Sequence, residues 1–203
     1  LFTVPATVQA QAPQVGTQVP GYYRMQLGRF EITALYDGAI QLDTKLLHTI
    51  EAADLNTLLT RMFVGNPKMQ TAVNAYLVNT GEHLVLIDAG AGTLFGDNLG
   101  FIRKNMEASG YTPEQVDVVL LTHMHGDHLG GLIDEDGKPV FPKSTIRAAQ
   151  AEGDYWLSKE MAAAAPKERQ HAFEIAQEGA AAYQGQNKWQ PFAEGIEVIA
   201  GIK

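Results

Sequence analysis

The feature that most constrains this chain is a ligand-rich segment that directly follows an apolar run. The apolar run, residues 116–121, has the length and β-branched content of a buried strand. The potential metal ligands His123, His125, Asp127 and His128 follow at once. A strand that ends in such a loop places these side chains at one edge of a sheet, where open α/β and layered folds have their sites. The sequence therefore predicts a functional site at that edge.

The spacing of the four ligands predicts two neighbouring metal positions. In an extended segment His123 and His125 point to the same side, so both can bind one ion. Gly126 allows a sharp turn, after which Asp127 and His128 can bind a second ion close by. Imidazole and carboxylate together suit zinc, manganese or iron. A solvated loop that happens to be rich in histidine is the alternative, but it does not explain the preceding apolar strand and the following glycine pair.

The same segment resembles a known signature. Residues 122–131 match the signature of the metallo-β-lactamase superfamily without a gap. A second landmark of that family lies upstream at residues 84–90, a strand that ends in Asp-x-Gly at Asp88. The stretch from residue 13 to residue 203 resembles the methyl parathion hydrolases and the related lactonases and arylesterases. The similarity is clearest near residues 20–35.

This resemblance implies an α+β fold of the αββα sandwich type, with helices outside two packed sheets. A single metallo-β-lactamase-like domain is expected over residues 13–203, truncated at its C-terminal end. The chain would then supply the N-terminal half of the sandwich and a little more. In the resembled family, a further metal-binding histidine, a bridging aspartate and a last histidine follow beyond the position of Lys203.

The resemblance also implies the site's chemistry. Two divalent ions are expected, with Zn²⁺ favoured, one on His123 and His125 and the other on Asp127 and His128. A metal-bridged hydroxide would attack the substrate, and Asp127 is expected to steer a proton in addition. Asp88 is expected to orient a histidine ligand through its free N–H. The alternative role for Asp88 is to cap the turn after its strand.

Three aromatic side chains are candidates for a substrate pocket, because Phe95, Trp156 and Phe173 align with pocket aromatics of the resembled hydrolases. Such a pocket favours aryl esters, aryl lactones or organophosphate triesters as substrates. For Trp156 and Phe173 a role in the ordinary core is an equally good interpretation.

Two other functions share the same signature. One is a mononuclear iron dioxygenase acting on persulfides, which one iron per chain and oxygen uptake would reveal. The other is a catalytically incomplete fragment, inactive unless two chains assemble as a homodimer to complete the site.

The composition narrows the partners and the ligand chemistry. The formal charge of the 203-residue chain is −8, which argues against a nucleic-acid surface. No apolar run reaches the length of a membrane span. Cysteine is absent, so any metal site must use nitrogen and oxygen donors.

The first residues resemble an export signal. Residues 1–8 are apolar and small, and Ala10-Gln11-Ala12 has the small-x-small form of a signal-peptidase site. We expect a signal-peptide remnant over residues 1–12 and a periplasmic or secreted protein. A disordered tail rich in Ala, Gln and Pro is the alternative.

Local patterns predict the remaining elements. Asp37-Gly38 has the composition of a hairpin turn that joins a strand over residues 30–35 to a returning strand over 39–42. Leucine spacing after Asp54 predicts a helix. Further strands are predicted over residues 71–79, 84–87 and 196–200, and further helices over residues 99–106, 152–158 and 167–182.

Overall fold

A computed structural model describes residue 12 and residues 14–65 and 67–203. The predicted signal remnant therefore lies, except for Ala12, outside the described residues, and it stays a prediction. The strands of the described part are β1 Tyr22–Leu27, β2 Phe30–Asp43, β3 Lys68–Asn79, β4 Leu84–Ile87, β5 Val118–Leu120 and β6 Thr145–Arg147. The α-helices of that part are α1 Ala52–Arg61, α2 Ile102–Ala108, α3 Gly126–Leu129, α4 Gln150–Trp156, α5 Lys159–Ala164 and α6 Lys167–Gln184. None of these helices is long and apolar enough to cross a bilayer.

The strands form one sheet whose spatial order follows the chain, β1 to β6. The first four strands pair antiparallel, whereas β4, β5 and β6 run parallel to one another. Parallel neighbours need crossover connections, and α2 lies in the connection from β4 to β5. This mixed sheet with helices confirms the predicted α+β fold class.

One face of the sheet carries the core. A row of directly paired residues, Leu77, Leu86, Val119 and Ile146, crosses four strands and is almost fully buried. Side chains from α2, α3 and α6 pack in the same cluster. Burial of this apolar area is the main stabilising contribution. The helices thereby hold β4 and β5, the strands that lead to the predicted ligands.

The opposite face is less fully covered at its β1 edge. There the alternate residues Tyr23 and Met25 are exposed, and so is Tyr76 on β3. Further along the same face, Val78 and Val85 are buried. This face therefore changes from exposed to buried between the antiparallel edge and the centre of the sheet.

The predicted hairpin at Asp37-Gly38 is wrong. The chain continues through these residues as the single strand β2, with an irregularity in its pairing to β3 between Tyr36 and Gly38. A Cβ at Gly38 would lie 1.9 Å from the carbonyl oxygen of Asn98, so glycine is required there by close packing and not by a reverse turn. The strand predicted over residues 196–200 is also wrong, since only an isolated bridge between Ile199 and Ile202 forms there.

The three parallel strands end at one edge of the sheet. Asp88 directly follows β4, the segment 122–128 (here called the metal loop) follows β5, and α4 follows β6. A Cβ at Gly131 would lie 2.1 Å from the carbonyl oxygen of Ala89, so only glycine lets the chain after the metal loop approach the chain after β4. The sheet therefore brings these segments together.

Candidate metal centre

Asp88 joins the two strand ends. Its Oδ1 accepts from the backbone N–H of Thr122 at 2.8 Å, and its Oδ2 accepts from the Thr122 hydroxyl at 2.8 Å. The same Oδ2 lies 2.8 Å from Nδ1 of His128. Asp88 has a φ of 61°, which is rare for a non-glycine residue and typical of strained functional positions. The structure thus places Asp88 against the ring of His128, and the predicted role of Asp88 in orienting a histidine ligand stays a prediction.

His128 lies between two carboxylates. Its Nδ1 contacts Asp88, and its Nε2 lies 3.4 Å from Oδ2 of Asp127. Burial lowers the pKa of His128, but the hydrogen bonds to Asp127 and Asp88 outweigh it and raise the pKa to about 9. The hydrogen bond from His128 in turn lowers the pKa of Asp127. The environment around Nε2 therefore favours positive charge.

The three histidine rings lie together. The ring centroids of His123 and His125 are 4.7 Å apart, nearly perpendicular, and those of His123 and His128 are 3.9 Å apart. Burial, and then the neighbouring His128 and His125, lower the pKa of His123. A neutral imidazole is the form that binds metal, so this lowering favours a ligand role.

One pair of donor atoms has the separation of two ligands on the same divalent ion. Two donors at about 2.1 Å from a tetrahedral zinc are about 3.4 Å apart, and the separation of His128 Nε2 from Asp127 Oδ2 is 3.4 Å. In the part of the chain that the structure describes, no group of three or more His, Asp or Glu side chains is arranged to hold an ion alone. The measured separation therefore fits Asp127 with His128 as one pair of ligands, and the assignment of His123 with His125 to a second ion stays a prediction.

A cleft of about 400 Å³ opens beside the second donor pair. Asp88, Asp127 and His128 form its polar end. Its apolar wall comes from β2 and β3 and includes Ile40, Leu42, Val73 and Tyr76. These wall residues could not be predicted from the sequence, because alternating apolar residues in a strand form the same pattern whether they face a core or a cleft.

Two of the three predicted pocket aromatics, Trp156 and Phe173, are in ring contact, and no such contact joins Phe95 to either of them in the described part of the chain. Trp156 lies edge-on to His125, with ring centroids 5.3 Å apart. Phe173 is 1% exposed and packs behind Trp156 at 4.7 Å, so it is a core residue and not an open wall. Phe95 is 50% exposed and lies over Gly126, without a ring contact to Trp156 or Phe173 in the described part of the chain. Tyr155, which was not singled out, contacts both Trp156 and Phe173.

A larger cavity, of about 610 Å³, lies elsewhere. Its lining includes Asp37, Arg103 and the exposed acidic turn of residues 134–136, and none of the four predicted ligands. The smaller cleft therefore is the better candidate for chemistry at the metal loop.

Comparison with known proteins gives a family match over the same region. The family model described as the metallo-beta-lactamase superfamily matches residues 70–181, more than half of the chain. The matched range contains Asp88 and the whole metal loop.

Two curated fungal proteins are similar in sequence. Over 86 residues the chain is 40% identical to lactamase-like protein adaB of Aspergillus niger, which covers 41% of this chain and 26% of that protein. Over 116 residues it is 32% identical to the atrochrysone carboxyl ACP thioesterase of Passalora fulva, which covers 56% of this chain and 33% of that protein. The chain thus spans a third or less of the length of these relatives.

Two solved structures are similar in fold and sequence. One is the hydrolase AbOPH of the beta lactamase superfamily, with a TM-score of 0.83 and 38% identity over 90% of this chain and 64% of that one. The other is AidC, a dizinc quorum-quenching lactonase in complex with a product, with a TM-score of 0.78 and 26% identity over 89% of this chain and 64% of that one.

Proposed function

The chain belongs to the metallo-beta-lactamase superfamily, and on this premise we propose that it carries part of the active site of a two-metal hydrolase. The observation that carries the proposal is the donor arrangement at the carboxyl ends of β4 and β5. There the Asp127–His128 pair has the separation of two zinc ligands, and Asp88 fixes the ring of His128. A dizinc lactonase and a hydrolase among the structural neighbours support the same chemistry.

Each side chain has a distinct task in this proposal. His123 and His125 would hold one divalent ion, and Asp127 and His128 the other. When bound, such a pair of ions supplies Lewis acidity and a hydroxide nucleophile near neutral pH. The bond from Nδ1–H to Asp88 orients the ring so that Nε2 of His128 faces Asp127, and a metal ion there would take the place of the proton on Nε2. The carboxylate of Asp127, whose pKa is lowered, stays ionised and can accept a proton at Oδ2.

We propose substrates whose reacting centre is a carbonyl or phosphoryl group, namely aryl esters, lactones or organophosphate triesters, as in the methyl parathion hydrolase branch. The apolar wall of the cleft, from Ile40 to Tyr76, can bind an apolar group while the reacting group meets the polar end. Trp156 supplies an aromatic edge beside His125. Thioesters are a second substrate class, which the similarity to a fungal thioesterase favours.

The test of the metal role uses Asp127→Ala in a protein extended to the length of its structural relatives. We expect loss of one metal per chain and a fall in hydrolysis by orders of magnitude, because the Asp127–His128 pair is broken. Folding should be preserved, because Asp127 lies partly exposed in the first turn of the short helix α3 and is not part of the core. Metal content by mass spectrometry and aryl-ester turnover are the measurements.

The matched control is Glu135→Ala, which removes an exposed carboxylate from a turn away from the metal loop. It should change neither metal content nor turnover. Unchanged turnover with both metals retained in Asp127→Ala would rule out the role of Asp127. If the protein contains one iron per chain and takes up oxygen, its function is that of a persulfide dioxygenase and not of a hydrolase.

The role of Trp156 is tested by its replacement with Ala. An aromatic contact contributes on the order of 1 kcal/mol beyond area burial, so KM should rise more for aryl substrates than for aliphatic lactones. Steady-state kinetics on both substrate types measures this difference. Equal losses for the two types would assign Trp156 to the core.

The 203-residue chain alone should bind zinc weakly and hydrolyse neither aryl esters nor phosphotriesters measurably. Catalytic zinc sites have about three protein ligands each, whereas the described residues offer two per ion. Equilibrium dialysis and an aryl-ester assay test this. Tight binding of two ions with turnover would mean that this chain suffices, or that two copies complete each other's sites.

A further inference from the structure

Glu152 connects the metal loop to the aromatic wall beside it. Its Oε2 accepts from the backbone N–H of Met124 at 2.8 Å and from Nε1 of Trp156 at 3.1 Å. Met124 lies between His123 and His125, and its own side chain is 1% exposed. One oxygen atom on α4 therefore holds the backbone between two predicted ligands.

The same oxygen also sets the orientation of an aromatic ring. The indole of Trp156 lies edge-on to the imidazole of His125, at 5.3 Å and 78°. Its other neighbours are Tyr155 at 5.1 Å and Phe173 at 4.7 Å. Because Phe173 is buried in the core, it backs the indole and limits the directions in which Trp156 can turn. The carboxylate of Glu152 then fixes the remaining freedom of the ring.

The position of Glu152 is set by the sheet, because the helix that carries it follows a strand paired with β5. The helix α4 begins three residues after the end of β6, and β6 pairs in parallel with β5, which leads into the metal loop. Leu121 donates to the carbonyl oxygen of Arg147 at 2.8 Å, so the two strand ends are fixed to each other. A hydrogen bond to a backbone N–H that is shielded from water is stronger than the same bond in water, and Met124 is buried.

We propose that Glu152 is a positioning residue, which holds the His123–His125 segment in the form that binds metal and couples that segment to Trp156. The metal part of this inference rests on the proposed function. It predicts that loss of the acceptor has two effects at once: metal binding becomes weaker, and the indole of Trp156 becomes more mobile. It also predicts that a neutral acceptor of the same shape retains both properties, because both bonds end on one oxygen atom.

The test compares Glu152→Leu, which has no acceptor, with Glu152→Gln, whose amide oxygen can accept both bonds. Both are made in the 203-residue chain with Trp189→Phe, which leaves Trp156 as the sole indole, since the sequence has two tryptophans. Glu178→Leu on α6 is the control for loss of an exposed helical glutamate. Circular dichroism melts check that every variant folds.

The metal-free measurement is amide hydrogen exchange at Met124. We expect exchange about tenfold faster or more in Glu152→Leu, because its acceptor is gone, and within about threefold of the parent in Glu152→Gln. Protection of Met124 equal to the parent in a folded Glu152→Leu variant would overturn the proposal, whether or not the chain binds zinc.

The second measurement is a titration with zinc chloride, followed by calorimetry and by Trp156 fluorescence. We expect about tenfold weaker binding or more in Glu152→Leu, as for other residues that orient ligands, together with an altered fluorescence response. Glu152→Gln and Glu178→Leu should resemble the parent. Equal losses in Glu152→Gln and Glu152→Leu would contradict positioning through hydrogen bonds. The 203-residue parent chain is expected to bind zinc weakly, so a parent that shows the exchange effect but not even weak zinc binding would contradict the proposed function and leave the positioning role supported.

Discussion

Two buried aspartates organise neighbouring regions of this protein in different ways. Asp37 is 0% exposed and Asp88 is 6% exposed. Asp37 accepts from the backbone N–H of Ala91 at 2.8 Å and of Ile102 at 3.0 Å. Asp88 instead has the side chain of Thr122 and the ring of His128 among its partners.

These partners indicate that Asp37 stabilises the fold, whereas Asp88 positions a side chain of the predicted metal site. Asp37 ties the main chain of β2 to the main chain of the loop that follows Asp88. Asp88 holds the ring of His128, whose second nitrogen faces Asp127, its partner in the predicted ligand pair. A carboxylate that binds backbone amides stabilises one backbone path, whereas a carboxylate that binds an imidazole sets its tautomer and orientation. We therefore expect substitutions at Asp37 to act on stability and substitutions at Asp88 to act on metal binding.

The largest expected effect is that of Asp37→Ala on stability. It leaves two buried backbone amides without their acceptor, and breaking a buried, charged hydrogen-bonded group costs roughly 3–5 kcal/mol. Urea denaturation measures the free energy of unfolding. The control is Asp97→Ala, because Asp97 is exposed and lines the same 610 Å³ cavity as Asp37. This substitution should change the free energy of unfolding little. A loss below about 1 kcal/mol in Asp37→Ala would remove the distinction between the two regions.

Asp88→Asn should act mainly on metal binding. Asparagine keeps the shape and tolerates the positive φ of 61°, but its amide is a weaker acceptor for Nδ1–H of His128. Loss of such an orienting partner lowers metal affinity about 10- to 100-fold. Zinc titration of Asp88→Asn and Asp37→Asn side by side checks the comparison. A larger loss of zinc affinity in Asp37→Asn would reverse our assignment of the two roles.

The smallest expected effect is a difference in pH dependence. Burial raises the pKa of Asp37 from 3.8, although backbone hydrogen bonds partly oppose it. The folded state therefore holds this proton more tightly than the unfolded state does. The contribution of Asp37 to stability is fully present below pH 3.8 and falls as the pH rises through the raised pKa.

Asp37→Asn cannot titrate, so it isolates this contribution. The free energy of unfolding of the parent relative to Asp37→Asn should decrease from about pH 3.5 to neutral pH. Denaturant titrations at several pH values measure it. A difference that grows with pH would show that the amide hydrogen bonds outweigh burial at Asp37.

The sequence predicted the elements that local pattern specifies. Strand alternation and leucine spacing located β3, β4 and α1 within a few residues, because period and burial are linked in each element. The four candidate ligands were also found from sequence, because they lie within six consecutive positions, 123–128. Asp88 was found through its resemblance to a family landmark and not through its spacing.

Only the tertiary structure decided which side chains meet across distant segments. Glu152 bonds a backbone N–H 28 residues away, and Asp37 bonds one 54 residues away. Such bonds produce no pattern that can be recognised in the sequence, because every residue except proline has a backbone N–H that could be the partner. Asp37-Gly38 looked like a hairpin turn by composition, but continuous pairing of β2 with β3 outweighed that local preference. The sequence by itself determined the elements with a clear period and the ligand segment, and long-range packing decided the path of β2 and which carboxylates contact backbone amides or the ring of His128.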